Sequence, residues 1–118
     1  MTPPSKINLN KAKTLLTVTF DGIDYELTAE FLRVYSPSAE VVGHGPGQET
    51  LQIDKEGVTI SNIQPTGNYA IVLFFSDGHD TGIYSWSHLL NLSINRDKLW
   101  SEYLEKLKKA GDTHSQLK

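Results

Sequence analysis

The chain of 118 residues contains no cysteine. This absence excludes disulfide bonds, thiolate zinc sites, iron–sulfur ligation and cysteine nucleophiles, and it agrees with a reducing compartment. The longest apolar run has seven residues, whereas a membrane-spanning helix needs about 20. The first residues, MTPPSKINLN, also lack the apolar stretch of a signal peptide. We therefore expect a cytoplasmic protein without membrane contact.

Positive charge is also scarce, with 11 basic and 14 acidic side chains and a net charge of −3. Nucleic-acid binders usually concentrate basic residues on one face, where they displace counterions. Such residues gather here only at Lys106, Lys108 and Lys109, near the predicted end of the last helix, where cations stabilise the helix dipole. The charge pattern predicts no nucleic-acid partner.

A chain of this length forms one domain and buries roughly two-thirds of its unfolded surface. We expect residues 1–13 to form a flexible arm, residues 14–111 to form a single monomeric domain, and residues 112–118 to form a disordered polar tail.

The first predicted hairpin joins Leu15–Phe20 to Ile23–Leu27 through Asp21-Gly22. A two-residue loop sets Phe20 opposite Ile23, and the alternation then places the apolar residues of both strands on one face. The hairpin is predicted to have one solvent-exposed face and one face packed against the core.

Thr28 is predicted to cap a short helix over Ala29–Val34, which the Ser36-Pro37-Ser38 segment ends. The glycine-rich stretch Ala39–Gln48 predicts an irregular loop. The pattern beyond it predicts short strands at Leu51–Ile53 and Val58–Ile60, followed by a turn over Ile63–Asn68.

A second hairpin forms the centre of the prediction. Tyr69–Phe75 is apolar throughout, and Asp77-Gly78 suits a two-residue turn that sets Val72 opposite Ile83. A strand that is apolar on both sides is usually central and covered on each face. We therefore expect other elements to cover both faces.

Two helices follow this hairpin. Ser85 is expected to cap one that begins at Trp86, and Asn95 to cap another over Arg96–Ala110. The latter carries an apolar stripe of Leu99, Trp100, Tyr103, Leu104 and Leu107. About six short antiparallel strands, a short helix after the second strand and two C-terminal helices predict a compact α+β domain.

The sequence contains few candidate catalytic or ligand-binding side chains. His44, His79 and Asp80 form the candidate metal site, because imidazole and carboxylate groups bind zinc or iron. Ser36 and Ser38 supply hydroxyls that a histidine could activate, yet no positioned nucleophile motif is present. The glycines of GHGPG lack the strand and helix of a phosphate-binding loop. We predict no resident cofactor.

Three segments in order, LTAEFLRVYSPSAEV, GHGPG and GNYAIVLFFSDGHDTGIYSWSHL, resemble the gamma-butyrobetaine hydroxylase-like N-terminal domain, a family long described as of unknown function. The resemblance covers roughly Leu15–Leu92 and implies a compact α+β module of the free-standing bacterial type. Other members precede an iron(II)/2-oxoglutarate dioxygenase domain or are fused to P-loop ATPases that carry iron–sulfur clusters.

The resemblance also implies a lost metal site. Dioxygenase-linked members hold a structural zinc through three cysteines after the short helix and one hairpin histidine. The matching positions here are Ser36, Ser38, Val41 and His79. Because a hydroxyl and a valine cannot replace thiolates, we expect the zinc site to be absent.

Our first hypothesis is a non-catalytic module that binds an unknown protein partner, with a link to iron–sulfur or cofactor metabolism implied by the fused relatives. Its expected contact surface comprises Tyr35, Ser36, Ser38, His44, Asp77, His79 and Asp80. The alternative is a metal-binding protein or small metal-dependent enzyme built on His44, His79 and Asp80. A third hypothesis gives His44 only a structural role in holding its loop.

Overall fold

The computed structural model describes residues 2–43, 45 and 47–117 and contains two three-stranded antiparallel sheets. The first sheet has the order β1 (Lys6–Leu9), β2 (Leu15–Phe20) and β3 (Ile23–Thr28), and the second has the order β4 (Ile60–Thr66), β5 (Ala70–Phe75) and β6 (Ile83–Ser85). The helices are α1 (Ala29–Val34), α2 (Ala39–Val42), α3 (Trp86–Ile94), α4 (Arg96–Lys109) and a 3-10 turn (Ser115–Leu117). Among these residues, none of the helices has the length and apolar character needed to cross a membrane.

The first predicted hairpin is confirmed with its register. Phe20 lies opposite Ile23 and Leu16 lies opposite Leu27. Asp21 and Gly22 both have positive φ, 51° and 77°, as a two-residue turn between twisted strands requires. Leu16 and Leu27 are completely buried, so the hairpin turns its apolar face to the core.

The structure corrects the expectation of a flexible N-terminal arm. Residues 6–9 form β1, which pairs with β2 from Lys6 opposite Thr19 to Leu9 opposite Leu16. The sequence Lys-Ile-Asn-Leu alternates over only four residues, too few for the pattern to be read with certainty. Pairing with β2 decides the conformation of this segment.

The region before the second hairpin also differs from the prediction. Residues 51–53 belong to no strand, and the expected strand at Val58 begins only at Ile60. The expected turn over Ile63–Asn68 is part of β4, which ends at Thr66. Pro65 fits there because β4 is an edge strand, the position in a sheet where proline is tolerated.

The second hairpin keeps its predicted register at Val72 opposite Ile83 but not its turn. The amide of Gly78 donates to the Phe75 carbonyl, and the Phe75 amide donates to the His79 carbonyl. The loop therefore has three residues and ends in Gly78, whose φ is 87°. The hairpin therefore has a three-residue turn that ends in a glycine β-bulge, and not the predicted two-residue turn.

The two faces of this hairpin are not equally covered. Ile71, Leu73 and Tyr84 face the core, with exposed fractions of 3%, 0% and 0%. On the other face Val72 and Phe74 are half-buried and Ile83 is 49% exposed. The expectation that other elements cover both faces is therefore wrong.

The helical predictions hold, with two differences. Thr28 and Ser85 accept the expected capping bonds from Phe31 and His88. Asn95 begins α4 without a side-chain capping bond, because its amide donates to Asn91 instead. The expected irregular loop from residue 39 starts with the four-residue helix α2.

The predicted disordered tail is folded against the body. His114 is only 4% exposed, and its Nε2 lies 2.6 Å from Glu30 Oε2. The Trp100 indole donates to Gln116, and Ser115 bonds to Glu56. A polar composition alone misses these bonds because each joins residues far apart in the chain.

One core joins both sheets to α1 and α3, and this arrangement confirms the compact α+β domain. Its most buried members include Leu16, Val18, Leu27, Leu32, Ile60, Leu73, Tyr84 and Leu89. A smaller apolar cluster of Val34, Tyr103 and Leu107 lies between the end of α1 and α4.

Candidate functional site

Several predicted site residues meet where the loop between α1 and α2 contacts the β5–β6 hairpin. Ser36 Oγ lies 2.8 Å from His79 Nε2, and His79 Nδ1 lies 3.1 Å from Glu40 Oε2. We call these three side chains the Ser36–His79–Glu40 network. The network fixes the end of α1 and the start of α2 to the hairpin turn.

The tautomer of His79 follows from its partners. The Glu40 carboxylate accepts, so Nδ1 carries the proton and Nε2 accepts from the Ser36 hydroxyl. Burial lowers the pKa of His79 below its usual 6.5, the nearby Arg33 charge lowers it further, and Glu40 opposes both effects. The network therefore holds a neutral imidazole with both ring nitrogens bonded.

The order serine, histidine and carboxylate is that of a catalytic triad, but Ser36 is completely buried. Its Oγ accepts a bond from the Ser38 amide. A Cβ placed on Gly82 would lie 2.5 Å from the same oxygen, so the hairpin backbone closes over it. In this conformation a substrate carbonyl cannot reach the hydroxyl.

Ser38 makes a second connection beside the network. Its hydroxyl accepts from the Glu40 amide as the N-cap of α2 and lies 2.7 Å from Thr81 Oγ1. Ser38 is 7% exposed. The two serines thus bond to the same hairpin at neighbouring positions.

Asp77 lies in the hairpin turn and accepts three bonds. Arg33 Nε donates at 2.9 Å, Lys55 Nζ donates at 2.7 Å, and the His79 amide donates at 3.2 Å. Partial burial alone would raise the Asp77 pKa, but these donors outweigh it and lower the pKa to about 2. The carboxylate is therefore ionised and committed to a structural ion pair.

The metal hypothesis gains little from this geometry. Both nitrogens of His79 are already bonded, and Asp80 is exposed. Within residues 2–43, 45 and 47–117, no three histidine or acidic side chains converge as metal ligands would. His44 lies outside the described residues, so its proposed metal and structural roles both stay predictions.

Three of the four positions implied by the resemblance to zinc-holding relatives come together, and the fourth, Val41, bonds through its amide to the Ser38 carbonyl. Ser36 and His79 are in contact, Ser38 bonds to Ser36, and Val41 follows in α2. Their chemistry does not fit zinc, because two hydroxyls and a valine supply no thiolate.

Tyr35 links α1 to the C-terminal helices. Its hydroxyl donates to the Leu99 carbonyl at 2.7 Å, and its own carbonyl accepts from His88 Nε2 at 3.1 Å. Burial, with the Glu102 charge, raises the Tyr35 pKa to about 12, so the hydroxyl stays a donor. Burial also lowers the pKa of His88.

An open groove of about 300 Å³ lies beside Tyr35, between α1, α2, residues 49–52 and α4. Its apolar walls are formed by Val34, Tyr35, Val41, Val42, Leu51 and Tyr103. Val42 is 45% exposed at the rim, and Glu49 and Lys106 place opposite charges on two of the walls. The volume suits one large apolar side chain or a small molecule.

Sequence reasoning singled out Ser36, Ser38 and His79 and missed Glu40, which completes the network. Glu40 contacts His79 across 39 positions of chain, and an exposed glutamate carries no signal of such a contact. The groove was missed for the same reason, since residues of four separate segments line it. Of the predicted contact residues, Tyr35 and Ser36 are among those that line it.

Solved structures share the fold. One protein with an NMR solution structure is 46% identical with a TM-score of 0.84 over 96% of this chain and 90% of that chain. Another NMR solution structure is 44% identical with a TM-score of 0.80, covering 96% of this chain and 85% of that chain.

A crystal structure from Acidithiobacillus ferrooxidans is 37% identical with a TM-score of 0.60, covering 76% of this chain and 91% of that chain. That protein is described as having unknown function and belonging to the DUF971 family. No curated protein matches the chain. The family model described as gamma-butyrobetaine hydroxylase-like, N-terminal, matches residues 7–90, and the chain therefore belongs to the gamma-butyrobetaine hydroxylase-like N-terminal domain family.

Proposed function

We infer that this protein is a non-catalytic cytoplasmic interaction module whose partner protein binds at the groove. One observation carries the proposal: the groove is open and apolar, whereas the neighbouring Ser36–His79–Glu40 network is closed. Partner sites commonly combine an apolar centre with polar groups around it, and Glu49 and Lys106 supply such groups beside the apolar walls of this groove.

The buried network supports the same reading. The hydroxyl of Ser36 is enclosed and His79 is 6% exposed, so these residues hold the walls in place rather than touch a partner. We therefore propose that the partner contacts the groove, which Tyr35 of the expected surface lines, and not Ser38 or His79. A link to iron–sulfur or cofactor metabolism comes from fused relatives, and no residue of this chain carries it.

Site-specific photocrosslinking in cells tests the proposal. A photoreactive residue at Glu49, on the groove wall, is expected to give a discrete adduct with one partner. The same residue at Ile94, which is 62% exposed outside the groove, serves as the control position. The adduct at Glu49 should disappear when Val42→Asp places a charge at the apolar rim.

Identical adducts at both positions, or an adduct at Glu49 that survives Val42→Asp, would contradict a groove-specific contact. Thermal unfolding of Val42→Asp should match that of the parent protein, because the side chain is half-exposed and its loss removes little packing.

A further inference from the structure

Residues 51–53 have a sequence typical of a strand but no strand to pair with. The order Leu-Gln-Ile alternates apolar and polar side chains, and Ile53 is 47% exposed. Within the described part of the chain, the amides of these three residues donate no hydrogen bond, whereas the preceding Thr50 amide donates to the Val41 carbonyl. These three amides are therefore available for pairing.

The segment also has a fixed orientation beside the groove. The carbonyl of Gln52 accepts from the Tyr103 hydroxyl at 2.6 Å and so faces α4. When such a segment pairs as a strand, the residues on either side of Gln52 present their backbone groups to the opposite side. Leu51 and Ile53 would thus offer amides and carbonyls outward, while the Leu51 side chain lines the groove.

The charged residues that line the groove favour one orientation of a bound ligand. Lys106 lies on the α4 wall, and Lys109 follows it one turn later on the same helical face. Neither lysine forms an ion pair with any residue that the structure describes. Glu49 lies on another wall, so an acidic group on the ligand is favoured at the α4 end.

We propose that the groove binds an extended peptide of a partner protein, which adds as a strand to Leu51–Ile53, places one large apolar side chain in the groove and turns an acidic residue towards Lys106. Strand addition of this kind takes affinity from backbone bonds and specificity from side-chain pockets. This inference rests on the proposed function and names the chemistry of the partner.

The probe is a nine-residue peptide selected from a random phage-displayed library against the intact protein. We expect selected peptides to share one large apolar residue followed by aspartate or glutamate. On binding, hydrogen exchange at the amides of Leu51 and Ile53 should slow at least about tenfold, since those amides become bonded. Lys106→Glu should weaken binding by about fivefold or more.

Ile53→Pro removes one backbone donor and should weaken binding by about fivefold or more, whereas Ile53→Ala keeps the donor and should bind almost normally. Thermal unfolding of both variants checks their folding. Because the exchange measurement uses the parent protein, the proposal stays testable if Ile53→Pro fails to fold.

Four results would overturn the inference: no enriched peptide, a bound peptide that leaves the Leu51–Ile53 amides unprotected, a groove that takes only small apolar molecules, or a dimer of this chain formed through the same face. A photocrosslink at Glu49 together with unprotected amides would reject strand addition and leave the proposed function standing. Loss of the crosslink itself would reject both.

Discussion

At the scale of single residues, His79 is the side chain on which the site depends. It bonds to Ser36, 43 positions earlier, and to Glu40, 39 positions earlier. Its burial and the nearby Arg33 charge together penalise the charged form of the imidazole more than Glu40 and Asp77 stabilise it. The folded state therefore prefers a neutral His79.

This preference predicts a loss of stability in acid. Because the folded pKa lies below 6.5, the unfolded chain binds the proton more readily, and stability falls as the pH drops below that value. The loss is about 1 kcal/mol per pH unit until the folded pKa is reached. Urea unfolding at pH 7.5 and pH 5.5 measures it.

His79→Gln provides the matched comparison, since glutamine does not titrate. At pH 7.5 the free energy of unfolding of the variant should be about 1–3 kcal/mol lower than that of the parent protein, because a buried, hydrogen-bonded imidazole is replaced. Between pH 7.5 and pH 5.5 the variant should lose less stability than the parent protein does. The pKa of His88 is also lowered, but His88 titrates in both proteins and cancels in the difference. Equal losses on acidification in the two proteins would contradict the assignment.

Gly82 is the second residue whose identity the network requires. A Cβ at this position would lie 2.5 Å from Ser36 Oγ and 3.1 Å from a ring carbon of Tyr84. Gly82→Ala should therefore cost about 1–3 kcal/mol, because both neighbours are buried and cannot move freely. Thermal unfolding monitored by circular dichroism gives the value.

Gly57→Ala is the control for that measurement, because a Cβ there meets nothing within 4 Å and the residue has no positive φ. Its unfolding temperature should stay close to that of the parent protein. If Gly82→Ala were as stable as Gly57→Ala, the close packing of the hairpin against Ser36 would be refuted.

At the scale of elements, the sequence predicts most where the signal is local. The hairpin at Asp21-Gly22 and the helices capped by Thr28 and Ser85 depend on neighbouring residues, and each was predicted with its register or cap. The strand β4 was missed because Pro65 and Gly67 are typical of turns. Its edge position, which makes proline acceptable, depends on the whole sheet.

Residues 51–53 show the opposite error. Their alternation predicts a strand, but a strand exists only where a partner supplies hydrogen bonds. Within the described chain the amides of this segment find no such partner. The predicted strand is therefore absent, because the described part of the fold supplies no partner strand beside these residues.

The contact between the α1–α2 loop and the hairpin leads to a prediction about metal binding. The variant Ser36→Cys, Ser38→Cys and Val41→Cys, together with His79, would place three thiolates and one imidazole in this region, where Ser36, Ser38 and His79 are already in contact. We expect it to bind one zinc per chain, because this ligand set suits tetrahedral zinc. Metal analysis after purification, and cobalt absorption spectra, measure the binding.

Adding His79→Gln to that variant removes the fourth ligand and should weaken zinc binding by about tenfold or more. Zinc should also raise the unfolding temperature of the three-cysteine variant, since metal binding contributes folding energy. If the variant folded without taking up zinc, the four positions would not share the geometry that the family resemblance implies.

At the scale of the whole molecule, residues 112–117 bind the last helix to the first half of the chain. His114 contacts Glu30, its ring packs edge-on against Trp100 at 5.8 Å, and Gln116 accepts from the Trp100 indole. These contacts join parts of the chain that are up to 84 positions apart. No composition signal could have located them in a polar segment.

Ending the chain after Gly111 should lower the free energy of unfolding by about 1–3 kcal/mol, because Glu30 loses its partner and Trp100 loses cover. Tryptophan fluorescence should shift to longer wavelength as solvent reaches the indole. Gln116→Ala, which removes only the indole bond, should give a smaller change. A truncated chain as stable as the parent would show that the segment contributes nothing.

The Ser36–His79–Glu40 network has a consequence for how the protein matures. Its three side chains all belong to the polypeptide. The contact between the α1–α2 loop and the hairpin therefore forms on folding and needs no metal ion from a chaperone or a cellular pool. A cell starved of transition elements would still assemble this contact at full yield. The three-cysteine zinc site that the family resemblance implies for dioxygenase-linked members would depend on that supply.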